Sequence, residues 1–528
     1  MKMLKLFTRK RENKEIELAS LGGILALFLA LTLPTLGAAS IWFDEAFSAY
    51  IIRHDFAQIW HYTSVDVHPP LYYFALKVWS FFFGTSDFAL RSMSVFFGAL
   101  TLILAFYLIK RIFKSVRIAG VSTFFLAISP MFIRYSQEMR MYMLVAFFAL
   151  IAIRAFFEIY HAQNSEKNQK KWRIIFVLAS LLGIWTQYLS GIVLITLWLW
   201  RAWMLRKDFR KGKKGIRNWL QRFFSEKWFA LNAWVVVGFL PWIPFFLIQT
   251  ATVQAGFWIP DVTFNTLPNY ISNFFTFVNS GDLKALWCLA IFAIIGISIY
   301  LISKNRGISK AEKQNLAFIG TLSFLPAAVL FVASSVLKRS IFVDRYVLFG
   351  LIFMALFLGI LIAKAWQKER LLAKVLALLL VITFGYGIFE INRQTGFSKS
   401  SNSTTQTRQM VERIHQLAQP DEPIIAESGY FYYELAQYST AKNSVWFIDS
   451  SQDYSIGSLK MLEDDNQHKI TNIADFSKKY SAVWVVYNYG DTEKEPLDSS
   501  WKMVQQETYK DPITGANRYL IQKFLVEN

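Results

Sequence analysis

The chain has 528 residues, of which 54% are hydrophobic and 17% aromatic. Together with many apolar runs long enough to span hydrocarbon, this composition excludes a soluble protein and predicts a polytopic membrane protein. The chain contains one cysteine, Cys288, which excludes a disulfide framework and a cysteine-based metal site.

The formal net charge of +19 is distributed unevenly. Residues 1–391 carry 42 Lys and Arg against 19 Asp and Glu, whereas residues 392–528 carry 14 against 18. The basic excess therefore belongs to the apolar part of the chain, where it most simply reports membrane topology. We expect the bilayer as a partner and no nucleic acid.

Apolar segments in residues 1–391 predict about 11 transmembrane helices. They cover 17–40, 88–109, 118–134, 139–160, 174–187, 189–204, 229–250, 283–303, 314–337, 346–363 and 371–391. If the N-terminus is cytoplasmic, the cytoplasmic loops hold 31 Lys and Arg and the opposite short loops hold 7. This contrast follows the positive-inside rule and predicts a multi-pass protein of the inner (plasma) membrane with its C-terminus outside. A re-entrant hairpin over 174–204 is an alternative that keeps the same topology.

The first segment has a second interpretation, a cleaved signal peptide, because small residues follow it at 36–40. Its full span length and the many spans that follow favour a membrane helix.

Residues 392–528 differ from the rest in being polar with short apolar runs. The runs at 423–426 and 482–487 predict buried strands, and 429–438 predicts a helix. The Ser, Asn and Thr-rich segment 398–407 is the predicted linker. The prediction is a membrane domain over 1–391 and a soluble extracytoplasmic α/β domain over 392–528.

Asp44 and Glu45 lie where the first predicted helix leaves the membrane. One interpretation is a helix N-terminus, where carboxylates accept hydrogen bonds from free backbone N–H groups. The other is a general base that takes a proton from a hydroxyl nucleophile. By the predicted topology, both residues share the outer face with the other ionisable groups described below.

A second polar segment contains Asp66 and His68, directly before Pro69 and Pro70. Proline restricts the preceding residue to an extended conformation, so the segment is a rigid turn. The two side chains offer an oxygen and an imidazole to a divalent cation or a phosphate, and a purely structural loop is the alternative.

Two further groups of residues complete the outer face. Tyr135, Glu138 and Tyr142 are spaced to share one face of a helix, with Arg140 beside them. An aromatic belt with a surface ion pair is the simpler interpretation.

A group of basic residues lies at the outer end of the tenth predicted span. Their positive charges suit the binding of a lipid phosphate, although anchoring of the helix end is an alternative. This group consists of Lys338, Arg339 and Arg345, followed by Tyr346.

At these residues the chain resembles the GT-C superfamily of membrane glycosyltransferases. It is similar to the group that includes protein O-mannosyltransferases, lipid A aminoarabinose transferases and core-sugar transferases. The similarity is most specific in the first ~145 residues, in the Asp-Glu pair, the His-Pro-Pro-Leu sequence at 68–71, the approach to the second span at 84–91, and the segment 135–142.

The resemblance implies a GT-C fold and a catalytic first outer loop over residues 41–87. It implies that Asp44 is the catalytic base, with Glu45 as its neighbour and Glu138 as the acidic residue of the second outer loop. Donor-phosphate and substrate contacts are expected from a larger set: His68, Arg91, Arg140, Tyr142, Lys338, Arg339, Arg345 and Tyr346. No cofactor is assigned; a divalent metal ion at Asp66 and His68 is left open, since no full ligand set is matched.

The expected activity is inverting transfer of a monosaccharide from a polyprenyl-phosphate donor to a hydroxyl on the extracytoplasmic face. The acceptor is a lipid, a glycan or a protein. The alternative is an outer-face ligase, flippase or transporter of lipid-linked glycans. A transporter usually carries charge near the bilayer midplane and shows repeated halves, and neither feature is found in the sequence.

Overall fold

The computed structural model describes residues 2–526 except 161–164, 207–211, 256–258, most of 277–307, 394–405, 450–458, 489–493 and 512–514. The described chain is mainly helical as far as residue 393. Its helices in this part are α1 (Lys2–Thr32), α2 (Phe43–Ile51), α3 (Phe56–Val65), α4 (Leu71–Phe83), α5 (Asp87–Phe113), α6 (Val116–Ala127), α7 (Pro130–Ser136), α8 (Tyr142–Tyr160), α9 (Glu166–Thr186), α10 (Gly191–Met204), α11 (Gly212–Phe223), α12 (Glu226–Phe239), α13 (Ile243–Ala255), α14 (Thr266–Thr276), α15 (Lys310–Leu337), α16 (Leu348–Ala365) and α17 (Arg370–Arg393).

Seven helices in the described part are long and apolar enough to cross a membrane, and the number is eight if α6 and α7 form one broken span. The axes of α6 and α7 differ by 64° at a break before Pro130. The predicted spans 174–187 and 189–204 correspond to α9 and α10. The predicted span 283–303 lies largely outside the described residues. A multi-pass helical membrane protein is thereby confirmed.

Helix α16 is the centre of the membrane part. Every one of its residues is buried, because α6 and α15 pack against it. Close approach to α6 depends on Gly359, since a Cβ atom added there would lie 2.5 Å from Ser122 Cα. Small residues allow helix backbones to approach in this way where lipid offers no hydrophobic driving force.

The C-terminal unit, residues 407–526, contains one six-stranded sheet in the order β3-β2-β1-β4-β6-β5. Strands β1 to β4 run parallel, and β6 pairs antiparallel with β4 and β5. The predicted strands at 423–426 and 482–487 are confirmed as the neighbours β1 and β4, and the predicted helix is α19. The elements are α18 (Thr407–Leu417), β1 (Ile424–Ala426), α19 (Gly429–Ala436), β2 (Val445–Ile448), α20 (Lys460–Glu463), β3 (Lys469–Ile470), α21 (Ile473–Ser477), β4 (Ala482–Tyr487), β5 (Trp501–Lys510) and β6 (Asn517–Val526).

The C-terminal unit contacts the segment that leads from α1 into α5. The Tyr438 hydroxyl donates to Asp87 Oδ2 at 2.7 Å and accepts from the Ile41 backbone N–H at 2.9 Å. The Tyr50 hydroxyl on α2 donates to Asp465 Oδ2 at 2.7 Å. These contacts bring the C-terminal unit against the helix that carries Asp44 and Glu45. The predicted linker 398–407 lies mostly outside the described residues.

Candidate active site

The candidate site is built around α2, which follows the turn at the end of α1. Seven of its nine residues, Glu45 to Ile51, are buried. Asp44 and Glu45 lie in its first turn, where carboxylates interact favourably with the helix dipole. Their side chains have different surroundings, and this difference separates their roles.

Glu45 forms a fully buried ion pair with Arg91 of α5. Arg91 Nε and Nη2 donate to the two carboxylate oxygens at 2.8 and 2.7 Å, and both side chains are 0% exposed. The Met139 backbone N–H also donates to Glu45 Oε1, at 2.9 Å. The carboxylate thus links α2 to α5 and to the connection between α7 and α8.

Arg91 has protein partners beyond Glu45. Its Nη atoms donate to three carbonyl oxygens in the turn before α2, those of Leu36, Ala39 and Ser40, at 2.8 to 3.2 Å. A buried guanidinium bonded in this way is held in one orientation. These contacts indicate that Arg91 shapes the turn and do not support the interpretation that it binds phosphate.

Asp44 faces a different cation. Arg345 Nη2 lies 4.0 Å from Asp44 Oδ2, and the side chains are 10% and 15% exposed. Arg345 belongs to a 3-10 turn, Asp344–Val347, that leads into α16. The predicted base and the predicted phosphate-binding cation are therefore adjacent and partly exposed.

Aromatic rings surround the Arg345 guanidinium. Its central carbon lies 5.9 Å from the Tyr142 ring centre, 5.8 Å from that of Tyr346 and 6.0 Å from that of Trp42. Cation–π attraction at such distances stabilises the guanidinium without using its N–H donors. Tyr142 and Tyr346 are thus brought to the site as predicted, and Trp42 was not among the predicted residues.

Arg140 contacts α2 from the connection between α7 and α8. Its Nη1 donates to the backbone carbonyl of Asp44 at 3.0 Å and to Ser48 Oγ at 3.1 Å. Arg140 is buried, and its contacts fix the backbone that carries Asp44. Arg140, predicted as a substrate ligand, is thus a buried residue that bonds the backbone of Asp44.

Glu138 is buried in the same connection. Its Oε2 lies 4.0 Å from Arg134 Nη1 and has no hydrogen-bond partner within the described residues. Burial raises the pKa of the Glu138 carboxyl, and the nearby Arg134 and Arg345 oppose that rise. Ser94 Oγ holds the connection by donating to the Glu138 carbonyl at 2.6 Å. Glu138 is therefore a buried carboxyl close to Arg345.

The expected single helical face over 135–142 is not observed. Helix α7 ends at Ser136 and α8 begins at Tyr142, so Glu138 and Arg140 lie in the break between them. The Tyr135 and Tyr142 rings are nevertheless 5.4 Å apart. Arg140 contacts α2 from within this break.

Asp66 and His68 lie at the end of α3, before the two prolines. His68 Nδ1 is 3.6 Å from Asp66 Oδ2. The parts of the chain that the structure describes contain no group of three or more His, Cys, Asp or Glu arranged to hold a metal ion. The pair supplies two donors, fewer than the four or six protein and water ligands of typical zinc or magnesium sites.

The remaining predicted cations are positioned differently from Arg345. Lys338 and Arg339 are exposed at the end of α15, where Lys338 has a positive φ of 50°. Arg345 is half-buried at the start of α16. Of the three, Arg345 is the cation that the structure places beside Asp44.

Two tyrosines that the sequence analysis did not select also belong to this region. Tyr72 and Tyr73 lie in the first turn of α4; both are fully buried, and the Tyr72 hydroxyl has no hydrogen-bond partner within the described ranges. The charges that act on Tyr73 include those of Arg140, Asp66 and Asp44. The sequence feature that could have pointed to them is their place shortly after His68 and the two prolines.

Comparison with known proteins gives one family model that matches part of the chain and solved structures with a similar fold. Residues 67–242 match the family model of dolichyl-phosphate-mannose-protein mannosyltransferases. The crystal structure of ArnT from Cupriavidus metallidurans in the apo state is similar with a TM-score of 0.59 and 13% identity, covering 95% of this chain and 97% of that one. The crystal structure of ArnT from the same organism bound to undecaprenyl phosphate has a TM-score of 0.57 and 15% identity, and the match covers 96% of this chain and 98% of that one.

No curated protein matches the chain by sequence. At identities this low, the similarity to ArnT shows a shared fold. The chain therefore has the GT-C fold of ArnT, and residues 67–242 of its helical part also match the mannosyltransferase family model.

Proposed function

We propose that the chain transfers a monosaccharide from a polyprenyl-phosphate donor to a hydroxyl acceptor, with inversion at the anomeric carbon. The observation that carries the proposal is the 4.0 Å approach of Asp44 and Arg345 at a partly exposed position. A direct displacement needs a base for the acceptor and a cation for the departing phosphate. These two side chains supply both groups.

The step is a single in-line substitution. Asp44 takes the proton of the acceptor hydroxyl while the acceptor oxygen forms a bond to the anomeric carbon. The bond from that carbon to the phosphate oxygen breaks, and its electron pair leaves with the polyprenyl phosphate. Arg345 stabilises the charge that develops on the phosphate, which is already a good leaving group and needs no acid.

Positioning residues hold this pair in place. Arg140 bonds the Asp44 carbonyl, and Glu45 with Arg91 fixes the first turn of α2 and the preceding turn. Productive geometry accounts for a large part of enzymatic rate enhancement, so these contacts matter although they do not touch the reacting atoms. Glu138, whose raised pKa favours the proton-bearing form, is assigned to hydrogen bonding with the sugar or the acceptor.

The undecaprenyl phosphate bound to ArnT supports a donor of the polyprenyl-phosphate class. We assign the reaction to the extracytoplasmic face of the inner membrane, with the N-terminus cytoplasmic, from the distribution of Lys and Arg between the loops. Asp66 and His68 would contribute two ligands to a divalent ion, which would add positive charge near the phosphate; no step above depends on it.

The test is sugar transfer by the purified full-length chain in detergent, with a panel of radiolabelled polyprenyl-phosphate monosaccharides and Asp44→Asn in parallel. Turnover with one donor that disappears in Asp44→Asn supports both the reaction and the base. Equal turnover by both proteins would support the transferase activity and show that a carboxylate other than Asp44 is the base. If the protein binds polyprenyl phosphate and transfers no sugar from any donor, a ligase or transporter of lipid-linked glycans replaces the proposal.

A further inference from the structure

The N-terminus of α2 lacks a cap from its own sequence. The residue at the cap position is Trp42, whose side chain makes no capping hydrogen bond. The first backbone N–H groups of a helix have no partner inside the helix and need an acceptor from elsewhere. Because this helix carries Asp44 in its first turn, whatever supplies the acceptor also influences the position of that carboxylate.

The C-terminal unit places a helix directly on α2. The Tyr433 ring of α19 lies 4.9 Å from the Tyr50 ring of α2, and the Tyr430 ring lies 5.1 Å from that of Phe43. Arg53, just after α2, donates from Nη2 to the Ala436 carbonyl at 3.1 Å. Helices α2 and α19 are therefore held together along their length.

Glu434 is the carboxyl that α19 presents to this contact. It is buried, the backbone N–H of Phe43, the first residue of α2, lies near enough to favour its charged form, and its Oε2 has no hydrogen-bond partner among the described residues. Burying a carboxyl in a domain contact costs free energy unless the carboxyl is hydrogen-bonded. The N–H of Phe43 is a donor available to it at the start of α2.

We propose that Glu434 is a positioning residue of the active site: it caps α2 from the C-terminal unit and thereby holds Asp44 against Arg345. The C-terminal unit then completes the catalytic site, in addition to any contact it makes with an acceptor. The expected effect on kcat rests on the proposed function of Asp44. The capping of α2 by Glu434 does not depend on that function.

The protonation state of Glu434 follows from its surroundings. The charged and titratable groups that face it are Arg518 and Tyr519 on β6, and Asp44 and Glu45 on α2. Burial, aided by the two carboxylates, raises the pKa of Glu434 to about 8, against the opposing effect of Arg518. Near neutral pH the group is uncharged and still offers an acceptor oxygen. Above that pKa it adds a negative charge beside Asp44.

The experiment compares Glu434→Gln and Glu434→Ala with the wild type in the full-length chain. Gln keeps an uncharged acceptor, and Ala removes it. The matched control is Glu422→Ala, because Glu422 is a buried carboxyl of the same unit that accepts from Trp484 Nε1 and Lys523 Nζ, both at 2.8 Å. For each protein we would measure hydrogen–deuterium exchange over residues 43–51, and kcat and KM for the donor. We would also measure kcat as a function of pH.

We expect Glu434→Ala to speed exchange in α2 and to lower kcat roughly fivefold, the factor that the loss of one helix cap implies, with the donor KM unchanged. Glu434→Gln should restore both values near pH 7, and it should remove the fall of kcat at alkaline pH that we expect of the wild type. Exchange and kcat in Glu434→Ala that equal those of Glu422→Ala would overturn the proposal. If the wild type transfers no sugar, the proposed function fails while the exchange measurement still decides the cap.

Discussion

The guanidinium of Arg345 lies 4.0 Å from the carboxylate of Asp44, although Arg345 precedes α16 and Asp44 lies in the first turn of α2. Each has a second set of contacts that fixes it: aromatic rings surround Arg345, and Arg140 bonds the backbone of Asp44. Both side chains retain some exposure, 10% for Arg345 and 15% for Asp44. The predictions below separate the residues that act on substrate from those that support them.

Asp44→Asn should lower sugar transfer by at least about a hundredfold while donor binding is retained, because an amide cannot accept the hydroxyl proton. Transfer of radiolabelled sugar and binding of polyprenyl phosphate are the measurements. Asp55→Asn is the control, since Asp55 is a carboxylate of the same outer segment that caps α3 by accepting from Gln58 N at 2.8 Å. An equal loss in both variants would contradict the assignment of Asp44.

Arg345→Gln should raise the KM for the donor and lower kcat, so that kcat/KM falls by roughly ten to a hundredfold, the range expected when a charge-assisted hydrogen bond is lost. Arg345→Lys should recover part of the affinity, since the charge is kept and the planar guanidinium is not. Donor titration in the transfer assay gives these values. Lys338→Gln serves as the control, because it removes an exposed cation near the same helix. If Lys338→Gln changed KM as much as Arg345→Gln, the phosphate would instead be bound at the end of α15.

Glu45→Ala should destabilise the protein by about 3–5 kcal/mol, because it leaves the Arg91 guanidinium buried without its carboxylate. The thermal unfolding of detergent-solubilised protein measures the effect. Glu507→Gln, which breaks the exposed pair with Arg413, should change the unfolding temperature little. If Glu45→Ala unfolds like the wild type and loses only activity, Glu45 is a catalytic residue and not a structural one.

Stability should depend on the protonation of Glu434. Its pKa is about 8 in the folded protein and near 4.5 when unfolded, so the folded state holds a proton that the unfolded state has released across that interval. The free energy of unfolding contributed by this group is therefore complete below about pH 4.5 and is lost as pH rises toward 8. The unfolding temperature should fall across that range in the wild type and fall less in Glu434→Gln. Parallel curves for the two proteins would show that Glu434 does not titrate there.

Gly359→Ala should destabilise the membrane part by about 1–3 kcal/mol, because the new methyl group would lie 2.5 Å from the backbone of Ser122 and α6 would have to move. Gly385→Ala is the matched change in α17, where a Cβ atom meets nothing within 4 Å. That variant should be neutral or slightly stabilising, as expected for glycine to alanine in a helix. Thermal unfolding distinguishes the two, and equal midpoints would argue against close packing of α16 on α6.

Several features of the fold were predictable because they depend on neighbouring residues. Apolar length predicts the membrane helices, and short apolar runs predict β1 and β4, since each signal lies within one segment. The spacing of Tyr135, Glu138 and Tyr142 predicted a shared helical face, and the structure instead has a break there. Residues in that break contact α2, through Met139 N–H to Glu45 and Arg140 to the Asp44 carbonyl, and such contacts cannot be evaluated from spacing.

The sequence by itself determined that this is a polytopic membrane protein with a C-terminal α/β unit, and it selected Asp44, Glu138 and Arg345 through their local patterns. Only the tertiary structure decided which of these residues meet. It paired Glu45 with Arg91, placed Arg140 behind Asp44 and brought Glu434 to α2. The physical reason is that hydrophobic patterns act within a segment, whereas ion pairs and helix caps depend on the distance between segments that packing alone brings together.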